Sequence, residues 1–142
     1  MKKLLALSLV LVSSIASAES LEEKKYWKNE MDYLQRSLDD AVKQCGVKFT
    51  FDWIDKAKLR AEAEKNNNSP YGICNSIIDE VGGICREGED EKKSVVAKIK
   101  GFTCGYAKER TLSLSGGIVK FMGNNQQSNF SEWAKPWLLK NL

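Results

Sequence analysis

The chain contains no histidine, so it lacks the commonest acid–base group of enzymes that work at neutral pH. A Ser-His-Asp triad and a Cys-His pair are therefore excluded. The cysteines also lack the close spacing of a structural zinc site. Neither glycine-rich pattern that binds nucleotide phosphates is present. From these absences we expect no metal site and no cofactor.

Apolar runs are scarce too, and the longest lies at the N-terminus. Lys2 and Lys3 precede residues 4–12, which are apolar apart from one serine and are too short to cross a bilayer. The small residues 16–18 (Ala-Ser-Ala) follow, in the pattern that a signal peptidase recognises. We therefore predict a secretory signal peptide over residues 1–18, cleaved after Ala18.

The predicted mature chain, residues 19–142, has little excess charge of either sign. The full sequence has 22 Lys and Arg against 19 Asp and Glu, and loss of the two lysines of the signal peptide leaves 20 against 19. A domain so close to neutral has no overall field to attract nucleic acid or anionic lipid. We expect one periplasmic or secreted bacterial domain of about 124 residues, with no integral membrane segment and no nucleic acid partner.

Four cysteines lie in the predicted mature chain: Cys45, Cys74, Cys85 and Cys104. An even number in an exported chain predicts two disulfides. Cys74 and Cys85 lie on one predicted helix, about 16 Å apart along its axis, which is too far for a disulfide. Two pairings remain open. We favour Cys45–Cys74 with Cys85–Cys104, and the alternative is Cys45–Cys85 with Cys74–Cys104.

Three amphipathic patterns predict the main helices. In the first, residues 20–45, apolar side chains recur at steps of three and four, the period of a helix with one buried face. Gly46 follows where a left-handed C-cap is expected. The second helix covers residues 71–85. The third begins near Asn129, and we expect Pro136 to kink it or to begin a second segment. Shorter helices are predicted over residues 55–65 and 87–97.

Alternation of apolar and polar residues predicts the strands. The segments are 47–53, 98–106, 111–115 and 118–122. Gly116-Gly117 predicts a tight hairpin between the last two, in which Leu114 pairs with Val119 and Leu112 with Phe121. We therefore predict an α+β fold. A small antiparallel sheet of about four strands packs with an N-terminal, a middle and a C-terminal helix, joined by two disulfides.

Three tryptophans are candidates for binding a ligand or a partner. Trp133 and Trp137 lie one helical turn apart on one face, and Trp53 ends the first predicted strand. Indole rings are prominent at interface hot spots, so Trp53, Trp133 and Trp137 are the predicted binding residues. The alternative is that the helical pair closes the end of the core.

Carboxylates offer the one catalytic route that the composition leaves open, since a pair of acids can hydrolyse glycosidic bonds. The acids near apolar or aromatic residues are Asp52, Asp55, Asp79, Glu80 and Glu132. However, Asp52 alternates towards solvent, and Asp55 stands where a helix N-cap is expected.

The function that these observations favour is that of a non-catalytic exported binding or interaction protein, such as an inhibitor or an envelope accessory factor. The expected partner is another periplasmic protein or an envelope glycan. The alternative function is that of a small carboxylate-dependent hydrolase acting on glycans.

Overall fold

The computed structural model describes residues 19–124 and 128–142. The predicted signal peptide and its cleavage site after Ala18 fall on residues 1–18, outside the described residues. The elements are, in chain order, α1 (Leu21–Cys45), β1 (Thr50–Trp53), α2 (Lys56–Lys65), α3 (Pro70–Cys85), α4 (Glu89–Lys98), β2 (Gly101–Tyr106), β3 (Thr111–Ser115), β4 (Ile118–Gly123) and α5 (Phe130–Asn141). The predicted α+β class is confirmed. None of the helices in the described ranges is both long enough and apolar enough to cross a membrane.

The helix ends follow from capping residues. The Ser20 hydroxyl accepts a hydrogen bond from the Glu23 N–H at the start of α1, and Gly46 ends that helix in the left-handed region at φ 79°. Ser69 caps α3 in the same way. Helix α3 continues through Gly82-Gly83. Helix α5 is one helix with Pro136 inside it, rather than two segments.

The sheet is mixed, with strand order β1-β2-β4-β3. Strands β1 and β2 pair in parallel, β2 and β4 pair in parallel, and only the β3–β4 hairpin is antiparallel. The prediction of an antiparallel sheet is therefore wrong for the β1–β2 and β2–β4 pairs. The three helices between β1 and β2 return the chain to the same end of the sheet, which makes that pair parallel. Strand β4 then lies between β2 and β3, although β2 and β3 are consecutive in sequence.

The predicted hairpin is confirmed. Leu114 pairs with Val119 and Leu112 with Phe121. Gly116 and Gly117 have φ values of 58° and 82°, as the two central residues of a type I′ turn require.

The helices form one layer, because α3 packs against the other four helices and against β2 and β4. Phe102, Phe121 and Val119 face this layer and are fully buried. The opposite face carries the cross-strand row Asp52, Thr103, Lys120 and Ser113, of which all but Thr103 are exposed. We call this face the open sheet face. The predicted exposure of Asp52 is confirmed.

The disulfides are Cys45–Cys85 and Cys74–Cys104, with Cα–Cα distances of 5.2 and 5.9 Å. The favoured pairing of Cys45 with Cys74 and Cys85 with Cys104 is therefore wrong, and its alternative is formed. Cys74 and Cys85 are not joined, as helix geometry predicts. Cys45 and Cys85 are the last residues of α1 and α3. Because these ends meet, the two helices run side by side in the same direction. The periodicity within each helix cannot predict this relative direction.

Candidate functional site

A groove of about 560 Å³ lies between α1 and α3. Helix α1 contributes Arg36, Ser37, Asp40, Ala41 and Gln44 to it; α3 contributes Tyr71, Asp79 and Gly82, and Arg86 follows directly after α3. We call it the α1–α3 groove. Its volume is within the range of small-molecule sites in proteins, about 300–1,000 Å³. Most of its lining side chains are polar or charged, so it suits a polar ligand.

The groove exists because small residues meet at its floor while long side chains stand at its rim. A Cβ atom at Gly82 would lie 3.2 Å from the Cα atom of Ala41, so glycine is what lets the helices approach here. Ser37, Ala41 and Gly82 are buried, whereas Arg36 and Arg86 reach solvent. The floor is therefore narrow and the rim is charged.

The groove holds two carboxylates, those of Asp40 and Asp79. Asp79 is exposed, but partial loss of hydration on the groove wall raises its pKa, and the neighbouring Asp40 carboxylate raises it further. A hydrogen bond from the Ser37 hydroxyl and the positive charge of Arg86 act in the opposite direction. An acid with a raised pKa beside a second carboxylate can accept hydrogen bonds when ionised and donate one when protonated.

The two arginines of the groove differ from the other two in the described ranges. Arg60 forms ion pairs with Glu23 and Glu64, and Arg110 donates hydrogen bonds to Ser128 and Asn129. Within the described residues, the guanidinium groups of Arg36 and Arg86 take part in no ion pair within 4.0 Å and donate no hydrogen bond. The guanidinium donors of the groove are therefore available to a ligand.

A smaller depression of about 250 Å³ continues the groove along α1. It is lined by Asn29, Asp32, Tyr33 and Arg36, so Arg36 belongs to both. Tyr33 is 49% exposed. Its ring centroid lies 5.8 Å from that of Tyr71 and 5.3 Å from the Arg36 guanidinium carbon. The two depressions together extend from Asn29 to Gln44, about 22 Å along the helix axis, and include an exposed aromatic ring.

A buried acid positions the Tyr71 end of the groove. Glu30 is 7% exposed, and its Oε2 atom accepts a hydrogen bond of 2.7 Å from the Tyr71 N–H in the first turn of α3. Burial raises the pKa of Glu30, although this backbone hydrogen bond lowers it. Glu30 thus fixes the start of α3 against α1 and bears a charge that burial makes unfavourable.

Glu30→Gln is expected to leave stability unchanged or to raise it at neutral pH. The amide oxygen still accepts the Tyr71 hydrogen bond, and no buried charge remains. In the wild type the folded state binds the Glu30 proton more tightly than the unfolded state, whose pKa is near the ordinary 4.5. The Glu30 contribution to wild-type stability is therefore fully present below 4.5 and is lost as pH rises through the folded pKa.

Urea denaturation of both proteins across this pH range measures the difference. Any gain of the variant over wild type should be largest at neutral pH and smallest in acid. The control Glu30→Ala removes the acceptor and should cost about 1–3 kcal/mol. A Glu30→Gln variant that is as unstable as Glu30→Ala would contradict this account.

The three predicted binding tryptophans are not brought together, and none lines the α1–α3 groove. Trp53 lies on β1, at one edge of the sheet, with its ring 5.3 Å from that of Trp27. Trp133 lies near β3, at the other edge, 5.6 Å from the Phe130 ring and 4.5 Å from the Arg110 guanidinium carbon. Trp137 is half-buried against the core. Ligand binding by these residues stays a prediction.

Of the five acids noted in the sequence, only Asp79 lines the groove. Asp55 caps α2 by accepting a hydrogen bond from the Lys58 N–H. The sequence analysis missed Arg36, Asp40 and Arg86. The two α1 residues could have been found from their spacing. Arg36, Asp40 and Gln44 recur at steps of four beside the apolar stripe of α1 and so lie at the border of that stripe.

No group of three or more Cys, Asp or Glu side chains within residues 19–124 and 128–142 is arranged to hold a metal ion. Comparisons with protein-family models, with curated proteins and with solved structures found no match for this chain.

Proposed function

We propose that the protein is a non-catalytic binding protein of the bacterial envelope, and that it holds a glycan in the α1–α3 groove. The observation that carries this proposal is the lining of the groove. Guanidinium donors, carboxylate acceptors, an amide and a hydroxyl line one open site of suitable volume. Each sugar hydroxyl both donates and accepts a hydrogen bond, so it matches a lining of this mixed kind.

The exposed Tyr33 ring supports a glycan in preference to a folded protein partner. Aromatic rings with a polar tip offer an apolar surface and a hydrogen bond together. The groove is also concave and polar, whereas the centres of protein interfaces are depleted in charged residues. The two disulfides agree with export to an oxidising compartment, where envelope glycans are found.

Titration with tetra-N-acetylchitotetraose, followed by amide chemical shifts, tests the proposal. The shifts should concentrate on α1 and α3. Asp40→Ala removes an exposed charged acceptor, and a hydrogen bond to a charged group is worth about 1.5–3 kcal/mol. We therefore expect affinity to fall about tenfold or more. The matched control is Asp52→Ala, an exposed aspartate on the open sheet face, which should bind as wild type does.

Two results would contradict the proposal. One is the absence of binding at millimolar concentrations of any envelope oligosaccharide, neutral or acidic, and the other is an equal loss of affinity in Asp52→Ala and Asp40→Ala. Circular dichroism and thermal unfolding of each variant show whether a loss of binding reflects a loss of fold.

The carboxylate hydrolase is the second candidate, because Asp40 and the raised-pKa Asp79 line the same groove. In that case Asp79 would protonate the leaving oxygen and Asp40 would act as base or nucleophile. Mass spectrometry of the oligosaccharide after long incubation decides between the two. Intact tetrasaccharide supports the binding protein. Cleavage that is lost in both Asp40→Asn and Asp79→Asn would establish the hydrolase instead.

A further inference from the structure

We infer that the glycan held in the α1–α3 groove is acidic, and that Arg36 and Arg86 bind its carboxylates at two separate points. This inference rests on the proposed function and adds the charge class of the ligand. It assigns to both residues a specificity role that the groove volume alone does not indicate.

The contrast among the arginines carries the inference. The guanidinium groups of Arg60 and Arg110 are used within the protein. Those of Arg36 and Arg86 donate no hydrogen bond within the described residues, although Asp40 and Asp79 line the same groove. Guanidinium groups bind carboxylates by two parallel hydrogen bonds, so two guanidinium groups on one groove that donate no hydrogen bond within the described residues favour an anionic ligand.

The spacing of the two arginines favours a ligand with more than one acid group. Arg86 follows Cys85, which is bridged to Cys45, and Arg36 precedes Cys45 by nine residues along α1. That interval corresponds to about 13 Å along the helix axis. Two acid groups on separate sugars of one chain match it better than a single small ion.

The carboxylates of the groove are compatible with an acidic ligand. Asp40 and Asp79 reduce the net charge of the lining to zero when both are ionised, so they prevent indiscriminate binding of anions. They also accept hydrogen bonds from ligand hydroxyl or amide groups between the two acid groups. Because the pKa of Asp79 is raised, the groove becomes positive when the pH falls, and an acidic ligand should then bind more tightly.

Two tetrasaccharides that differ in charge test the inference. One is neutral tetra-N-acetylchitotetraose. The other alternates N-acetylglucosamine with N-acetylmuramic acid, carries no peptide and so adds two lactyl carboxylates to a similar backbone. In calorimetric titrations at low salt, the wild type should bind the acidic probe at least tenfold more tightly. Salt should reduce that preference, because it screens exposed charges.

Arg36→Gln and Arg86→Gln remove the charge and keep hydrogen-bond donors. Each should lower the affinity for the acidic probe about tenfold and lower the affinity for the neutral probe by a smaller factor, because glutamine can still donate a hydrogen bond to a sugar but carries no charge. The double variant should bind both probes equally. The matched control is Lys120→Gln, which removes one positive charge from the open sheet face and should keep the preference of the wild type.

The outcomes separate the two proposals. Equal wild-type affinity for both probes overturns the acidic ligand and leaves the glycan-binding function in place. Binding of neither probe overturns the function itself. If Lys120→Gln loses the preference for the acidic probe as much as the arginine variants do, the preference is a general charge effect, and the two-point assignment is overturned. Tighter binding of tetraglutamate than of the acidic tetrasaccharide assigns the groove to acidic peptides and overturns the glycan.

Discussion

Replacing Cys74 and Cys104 together by alanine is expected to lower the free energy of unfolding by about 4 kcal/mol. Their bridge closes a loop of 30 residues, for which chain entropy alone gives a cost of about 3–4 kcal/mol. Both cysteines are fully buried, on α3 and β2, so the variant also leaves a void. Domains of this size are stable by about 5–15 kcal/mol, and the loss is therefore a large fraction of the total.

Guanidinium chloride denaturation without reductant, followed by far-ultraviolet circular dichroism, measures this loss. The companion variant Cys45→Ala with Cys85→Ala opens a loop of 40 residues and should cost a similar amount. It should also weaken binding in the α1–α3 groove, because this disulfide joins the two walls covalently. A loss below about 1 kcal/mol for the Cys74 and Cys104 variant would contradict the stabilising role of that bridge.

Trp27→Ala is expected to have the second largest effect, a loss of about 3–5 kcal/mol, as is typical of a large buried aromatic residue. Trp27 is 4% exposed. Its ring contacts those of Tyr26 and Trp53, each at 5.3 Å, and its Nε1 atom donates a hydrogen bond of 2.8 Å to Glu23. The variant therefore removes the packing of α1 on β1 and one polar contact together.

Trp137→Ala is the matched control, since it removes the same side chain from a half-buried position on α5. Trp137→Ala should cost about half as much stability, because folding removes less of the apolar surface of this half-buried side chain from water. Circular dichroism is the suitable signal for both variants, as each change alters the fluorescence. Equal losses would show that the difference in burial between Trp27 and Trp137 does not govern their contributions.

The local parts of this fold could be predicted from the sequence, and the long-range pairings could not. The stripe of α1, its Gly46 cap and the Gly116-Gly117 hairpin depend on neighbours within a few residues. The strand order depends on where three helices return the chain to the sheet, which no local pattern contains. The choice between the two disulfide pairings depends on the direction of α3 relative to α1, which is also a property of the whole fold.

The candidate site was harder to predict than the fold for a related reason. Arg36 and Asp40 lie on the polar face of α1, where charged residues ordinarily meet water. Only the approach of α3 at Gly82 converts that face into one wall of a groove. Trp53, Trp133 and Trp137 are partly buried against the core and do not line this groove, so their predicted role in binding is separate from it.

The parallel course of α1 and α3 has an electrostatic consequence at the end where Cys45 meets Cys85. Each helix carries a macrodipole with about half a negative charge at its C-terminus, and the bridge holds two such ends side by side. A cation at a helix C-terminus gains about 0.3–1 kcal/mol, and Arg86 directly follows α3 while Lys43 lies in the last turn of α1. The aligned dipoles therefore stabilise the Arg86 charge in addition to the Asp79 carboxylate, and they also reduce the attraction that a bound anion experiences there.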